Sequence, residues 1–60
     1  MKTLIDPEQG WMFGFPKEAP DDFYVLGEDF DLQSWLESEG YPKGRIPYYT
    51  RYIEVNSDRN

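Results

Sequence analysis

Phe30-Asp31-Leu32-Gln33-Ser34-Trp35-Leu36-Glu37-Ser38-Glu39-Gly40-Tyr41-Pro42 is the stretch whose reading decides the fold. Asp31 is an N-cap residue type, its carboxylate suited to accept from backbone N–H groups of the first turn. Phe30 then falls at N′ and Trp35 at N4, the spacing of a hydrophobic staple. Gly40 falls at C′, where a left-handed residue ends a helix, and the accompanying contact joins Leu36 to Tyr41. Pro42 blocks continuation. Leu32, Trp35 and Leu36 lie at i, i+3 and i+4, so one stripe of this helix faces inward.

Outward from the helix the signals are those of strands. Lys2–Ile5 is β-prone and is stopped by the Asp6–Gly10 turn segment, which contains Pro7. Trp11-Met12-Phe13-Gly14-Phe15 alternates, with Trp11, Phe13 and Phe15 on one face, and reads as a strand in a hairpin with the first run. Trp11 and Trp35 are read as core anchors. Lys17–Asp22 reads as an exposed loop, with a helical turn from Asp21 as the alternative because acids suit a helix start. Phe23-Tyr24-Val25-Leu26 is a short apolar run read as a strand. Beyond the helix, Tyr48–Val55 has the highest strand propensity. Its Tyr49/Arg51/Ile53/Val55 face carries two aliphatics and is assigned to the core. The expectation is an α+β fold, a small antiparallel sheet of three or four strands packed on one short helix. Residues 1–55 form a single domain and 56–60 a frayed polar tail.

Sixty residues allow one domain with a small core. The burial falls to the aromatic residues, which make up 18% of the chain; each can cover about 150–250 Å². Self-association is a common remedy at this size, so monomer and homodimer both stay open. There is no Cys and no His. That removes disulfides, thiolate chemistry, an imidazole base and the usual zinc ligands. Ser34, Ser38 and Ser57 have no histidine to activate them. Glu28, Asp29 and Asp31 do not follow the EF-hand pattern, since Ser34 stands where its glycine is required. The expectations are therefore no enzyme, no cofactor and no metal. No apolar run is long enough to span a bilayer and the first residues lack a signal-peptide core, so a soluble intracellular protein is expected.

The net charge is −6 and it is unevenly spread. Between Glu18 and Pro42 stand Glu18, Asp21, Asp22, Glu28, Asp29, Asp31, Glu37 and Glu39, with no Lys or Arg among them. Such a field disfavours nucleic acid and anionic lipid and suits a basic protein surface; the plainer reading is a solubilising shell. Glu37 and Glu39 stand out. They fall in the last helical turn, where the dipole disfavours acids, and no base lies one turn before them. Either they serve binding or Lys43 and Arg45 compensate them. Tyr48, Tyr52 and Arg51 are residue types common at interface hot spots, with core packing as their alternative. The candidate binding residues are thus Glu28, Asp29, Glu37, Glu39, Tyr48, Arg51 and Tyr52.

Two blocks, Gly10-Trp11-Met12-Phe13-Gly14-Phe15-Pro16-Lys17 and Trp35-Leu36 with Gly40-Tyr41-Pro42, followed by Tyr49-Thr50-Arg51-Tyr52, resemble small uncharacterised proteins encoded by tailed bacteriophages. The resemblance spans roughly Asp6 to Ile53. It implies an origin and carries no functional residue. The expectation it supports is a non-enzymatic acidic phage protein that binds a host protein with a basic surface in the host cytoplasm, without contacting nucleic acid or membrane itself. The alternatives are a phage structural or assembly accessory acting as a homo-oligomer, and a local DNA mimic inhibiting a nucleic-acid-binding enzyme.

Overall fold

The computed structural model describes residues 2–56. Three strands, β1 (Lys2–Pro7), β2 (Lys17–Glu18) and β3 (Thr50–Val55), form an antiparallel sheet in the order β2-β1-β3. Two short helices, α1 (Asp21–Leu26) and α2 (Leu32–Ser38), complete an α+β fold. The class is the expected one, with a second helix added to the expected one. Of the polar tail, residues 57–60 lie outside the described residues.

The α2 helix follows its local grammar. The Asp31 carboxylate accepts from the Ser34 N–H at 3.1 Å and from its hydroxyl at 2.8 Å. Phe30 and Trp35 meet with ring centroids 6.3 Å apart, which closes the staple. At the other end, the Tyr41 N–H donates to the Leu36 carbonyl (2.9 Å) and the Gly40 N–H to the Glu37 carbonyl (3.3 Å). This is a Schellman turn, and Gly40 takes the φ of 115° that it needs. Leu36 and Tyr41 are both fully enclosed and join Ile5, Phe15 and Ala19 in the core.

Three expectations are corrected. Trp11-Met12-Phe13-Gly14-Phe15 is no strand: Gly10–Phe13 is a 3-10 turn, and Trp11 is 76% exposed instead of anchoring the core. The reason is tight packing at Gly10, where a Cβ would stand 2.8 Å from the Cβ of Phe15 and 3.0 Å from Cδ of Pro7. The chain curls tightly over Gly10, which has only a hydrogen where a Cβ would stand, and delivers Phe15 to the interior. The hairpin partner of β1 is therefore Lys17–Glu18, paired Leu4 to Glu18 and Ile5 to Lys17, so part of the expected 17–22 loop is strand. Phe23–Leu26 is helix, not strand. Four apolar residues in a row do not distinguish the two states, and Asp21 and Asp22 at the first turn favour helix.

The third correction concerns the face of β3. Ile5 pairs with Tyr52 and Thr3 with Glu54. Directly paired residues share a face, and Thr3, Ile5 and Pro7 are the buried side of β1. Thr50, Tyr52 and Glu54 thus lie on the helix side. Arg51, Ile53 and Val55 lie on the other, with Leu4 opposite Ile53.

Aromatic rings link the layers in one unbroken path. Phe13 touches Tyr41, Tyr41 touches Phe15, Phe15 touches Trp35, Trp35 touches Phe30 and Phe30 touches Phe23, all at centroid distances of 5.3–6.3 Å. Phe23 then reaches Tyr24 edge-on at 5.3 Å and stacks on Tyr52 at 5.8 Å. Aromatic pairs of this geometry contribute about 0.5–1.5 kcal/mol each beyond their area, which suits a domain with so few fully buried aliphatics.

Candidate interaction surface

The seven candidate residues do not share one environment. Glu37 turns back on its own chain. Its carboxylate accepts from Gln33 Nε2 (3.0 Å) and from the Gly44 N–H (3.1 Å), and the same Gln33 amide donates to the Arg45 carbonyl at 2.8 Å. Glu37 therefore ties the loop after α2 to the helix. The Gln33 bond first, and the Gly44 bond second, hold its carboxyl below the usual glutamate range, with the Lys43 charge adding to them. Glu39 pairs with Lys17 at 3.3 Å. Lys17 Nζ also donates to the Glu39 carbonyl at 3.0 Å, a cation at the helix C-terminus where the dipole favours it. The acids that break the dipole rule are thus compensated, Glu37 by Gln33 one turn before it and by Gly44 just past the helix, and Glu39 by Lys17, distant in sequence.

Arg51 pairs with Asp6 across the sheet at 3.2 Å. Tyr52, half exposed, stacks on Phe23. Tyr48 is 89% exposed, while its N–H donates to the Glu8 carboxylate at 2.7 Å. The Glu8 carbonyl accepts from the Tyr41 hydroxyl at 2.9 Å, and Gln9 Oε1 accepts from the Arg45 guanidinium. The segments 8–13 and 45–49 are thereby joined at one end of the molecule, with Trp11, Met12, Ile46, Tyr48 and Tyr49 exposed along them.

Glu28 and Asp29 belong to a different group. They occupy the 3-10 turn Gly27–Asp29 directly after α1. With Asp21 and Asp22 at the start of α1 they form a set of exposed carboxylates. None of the four has a salt bridge or a side-chain hydrogen bond among the described residues. Between them, Tyr24, Val25 and Leu26 are exposed, Val25 by 77%. The α1 helix has no buried residue. It is held by Phe23 in the ring path and by Tyr24, whose hydroxyl accepts from the Thr3 N–H at 2.8 Å. In sequence, Glu28 and Asp29 stand out as candidates, whereas Phe23–Leu26 has the look of a strand and folds as helix. The acid pair Asp21-Asp22 before an apolar run was the available signal.

We found no match to the chain among protein-family models, curated proteins or solved structures. Among the described residues no group of acids could hold a metal ion, no pocket is enclosed, and no helix is long and apolar enough to cross a membrane.

Proposed function

We propose that this chain is a small non-enzymatic binding protein that engages a basic protein surface through α1 and the turn that follows it. The observation that carries the reading is the pairing of unneutralised Asp21, Asp22, Glu28 and Asp29 with exposed Tyr24, Val25 and Leu26 on one short segment. Exposed apolar side chains rimmed by charge are the make-up of an interaction site, and carboxylates without internal partners are free to steer a cationic surface. The motif resemblance supports a reading in which the partner belongs to a bacterial host and is met in its cytoplasm, as part of phage takeover. Glu37 and Glu39 move from the binding set to the fold, and Glu28 and Asp29 stay in it. A DNA-mimic version calls for a broader face of free carboxylates than this segment offers.

The test is co-purification from a host lysate followed by mass spectrometry, with wild type beside Glu28→Lys/Asp29→Lys and Val25→Asp. Both variants should stay folded and lose the partner that wild type retains. Equal recovery of every protein by all three would remove α1 as the site.

A further inference from the structure

The two edges of the sheet are finished differently. The β2 edge is only two residues long and is bounded by Pro16 and Pro20, so it offers little backbone to pair with. Beyond it, the β2 side of β1 is closed by protein groups: the Ala19 N–H donates to the Thr3 carbonyl at 2.8 Å, and the Thr3 N–H donates to the Tyr24 hydroxyl, which replaces the next strand carbonyl. The β3 edge is six residues long and contains no proline or lysine, its charges being Arg51 and Glu54, and among the described residues no strand pairs with its outer side. An edge of this length is a template for pairing with another chain.

The register tells which groups the open edge presents. Glu8 N–H donates to the Tyr49 carbonyl at 2.9 Å, one step beyond the Pro7–Thr50 pair. In an antiparallel ladder, bonded and non-bonded pairs alternate. Tyr49, Arg51, Ile53 and Val55 therefore direct their peptide groups at β1, and Thr50, Tyr52 and Glu54 direct theirs outward. Pro7, with no N–H, falls at a non-bonded pair, as this phase requires.

We propose that the occupant of this edge is the β3 strand of a second copy of the chain, antiparallel and centred on Tyr52, giving one continuous sheet through a two-fold dimer. The proposal does not depend on the partner reading above. Self-pairing selects its own register. Centring on Arg51 sets the two guanidinium groups opposite each other. Centring on Ile53 leaves Thr50 facing Asn56, outside the strand. Centring on Tyr52 sets Thr50 opposite Glu54 and Arg51 opposite Ile53, so every outward peptide group of one strand meets an outward group of the other. No like charges stand directly opposed. The interface is isologous, as two-fold dimers require. The net charge of −6 on each copy opposes association at long range, and salt screens it over roughly 8 Å at physiological strength.

Sedimentation equilibrium from micromolar to millimolar protein, at low and high salt, is the first test. The mass should rise from 7.2 kDa toward twice that value, at lower concentration in high salt. Glu54→Pro removes an outward N–H that β1 does not use, so circular dichroism should match wild type while dimerisation weakens about tenfold or more. The chain has no cysteine, so register can be read by cross-linking. Arg51→Cys/Ile53→Cys should form interchain disulfides on oxidation, because the 51–53 pair is the close, non-bonded kind, and either single variant should do so more slowly. A monomer at every concentration and salt overturns the proposal. So does a dimer indifferent to Glu54→Pro, or one that salt dissociates, since screening should strengthen the pairing of two copies that each carry −6.

Discussion

Gly10 shows how much a single missing side chain can decide. An alanine there would press on Phe15 and Pro7 at 2.8 and 3.0 Å, and Phe15 is a core residue, 5% exposed, that cannot swing away. Gly10→Ala should cost about 1–3 kcal/mol in urea unfolding, the usual range for overpacking. Glu37 makes a different prediction. Its carboxyl is held below the ordinary range in the folded chain, by Gln33 and then Gly44. The folded state thus binds its proton more weakly than the unfolded state does. The stability it confers is complete above the ordinary glutamate range, and it is lost as pH falls through that range to the lowered value. Glu37→Gln should flatten that part of the stability–pH curve, measured by urea midpoints between neutral and acid pH. An unchanged slope would mean that the carboxylate bonds do not matter to the fold. Neither effect was legible in sequence. Gly10 reads as a turn residue; for Glu37 the Gln33 amide one turn before it is an uncharged partner that a search for a base passes over, and Gly44 becomes a partner only once the loop after α2 has turned back.

Elements differ in how local their instructions are. The α2 helix carries both caps and its staple within Phe30–Tyr41, so its limits could be read from types and spacing alone. Tyr48–Val55 was recognisable as a strand, but its face was not. Both faces carry large side chains, and the choice fell to Phe23, which takes Tyr52 into the ring path. The α1 helix is the least self-sufficient element. Six residues are too few to hold a helix in isolation, and its apolar residues other than Phe23 are exposed. Tyr24 connects it to β1 through the Thr3 N–H, and Thr3 is buried. Tyr24→Phe keeps the ring and removes the acceptor, which leaves a buried donor unpaired at a cost of about 1–3 kcal/mol. Amide hydrogen exchange should locate the damage: protection at Thr3 should fall while that of α2 is retained. Leu36, on the self-sufficient helix and fully enclosed, should lose about 2–5 kcal/mol on replacement by alanine, with the whole domain unfolding as one unit.

At the scale of the whole molecule, the described basic residues work mainly inward. Lys17 holds Glu39, Arg51 holds Asp6, Arg45 lies 5.9 Å from the ring centroids of both Phe13 and Tyr41, and Lys2 stands 3.9 Å from Glu18. Much of the surplus negative charge is left at α1 and its following turn. That distribution makes stability and binding pull in opposite directions. Unpaired like charges destabilise the compact state by mutual repulsion, so removing them should strengthen the fold. Glu28→Lys/Asp29→Lys replaces two negative charges with two positive ones at side chains that have no bond to lose among the described residues. Its melting temperature should exceed that of wild type by a few degrees at low salt, and the gap should close in molar salt as screening takes over. The same variant should lose the partner recovered by wild type. Glu37→Lys/Glu39→Lys reduces the net charge equally but severs the bonds to Gln33, Gly44 and Lys17, so its melting temperature should fall at every salt concentration. Thermal melts of the two variants across a salt series therefore separate carboxylates that hold the fold from carboxylates kept despite it. Should both variants melt alike, the division between an inward and an outward acidic set is wrong.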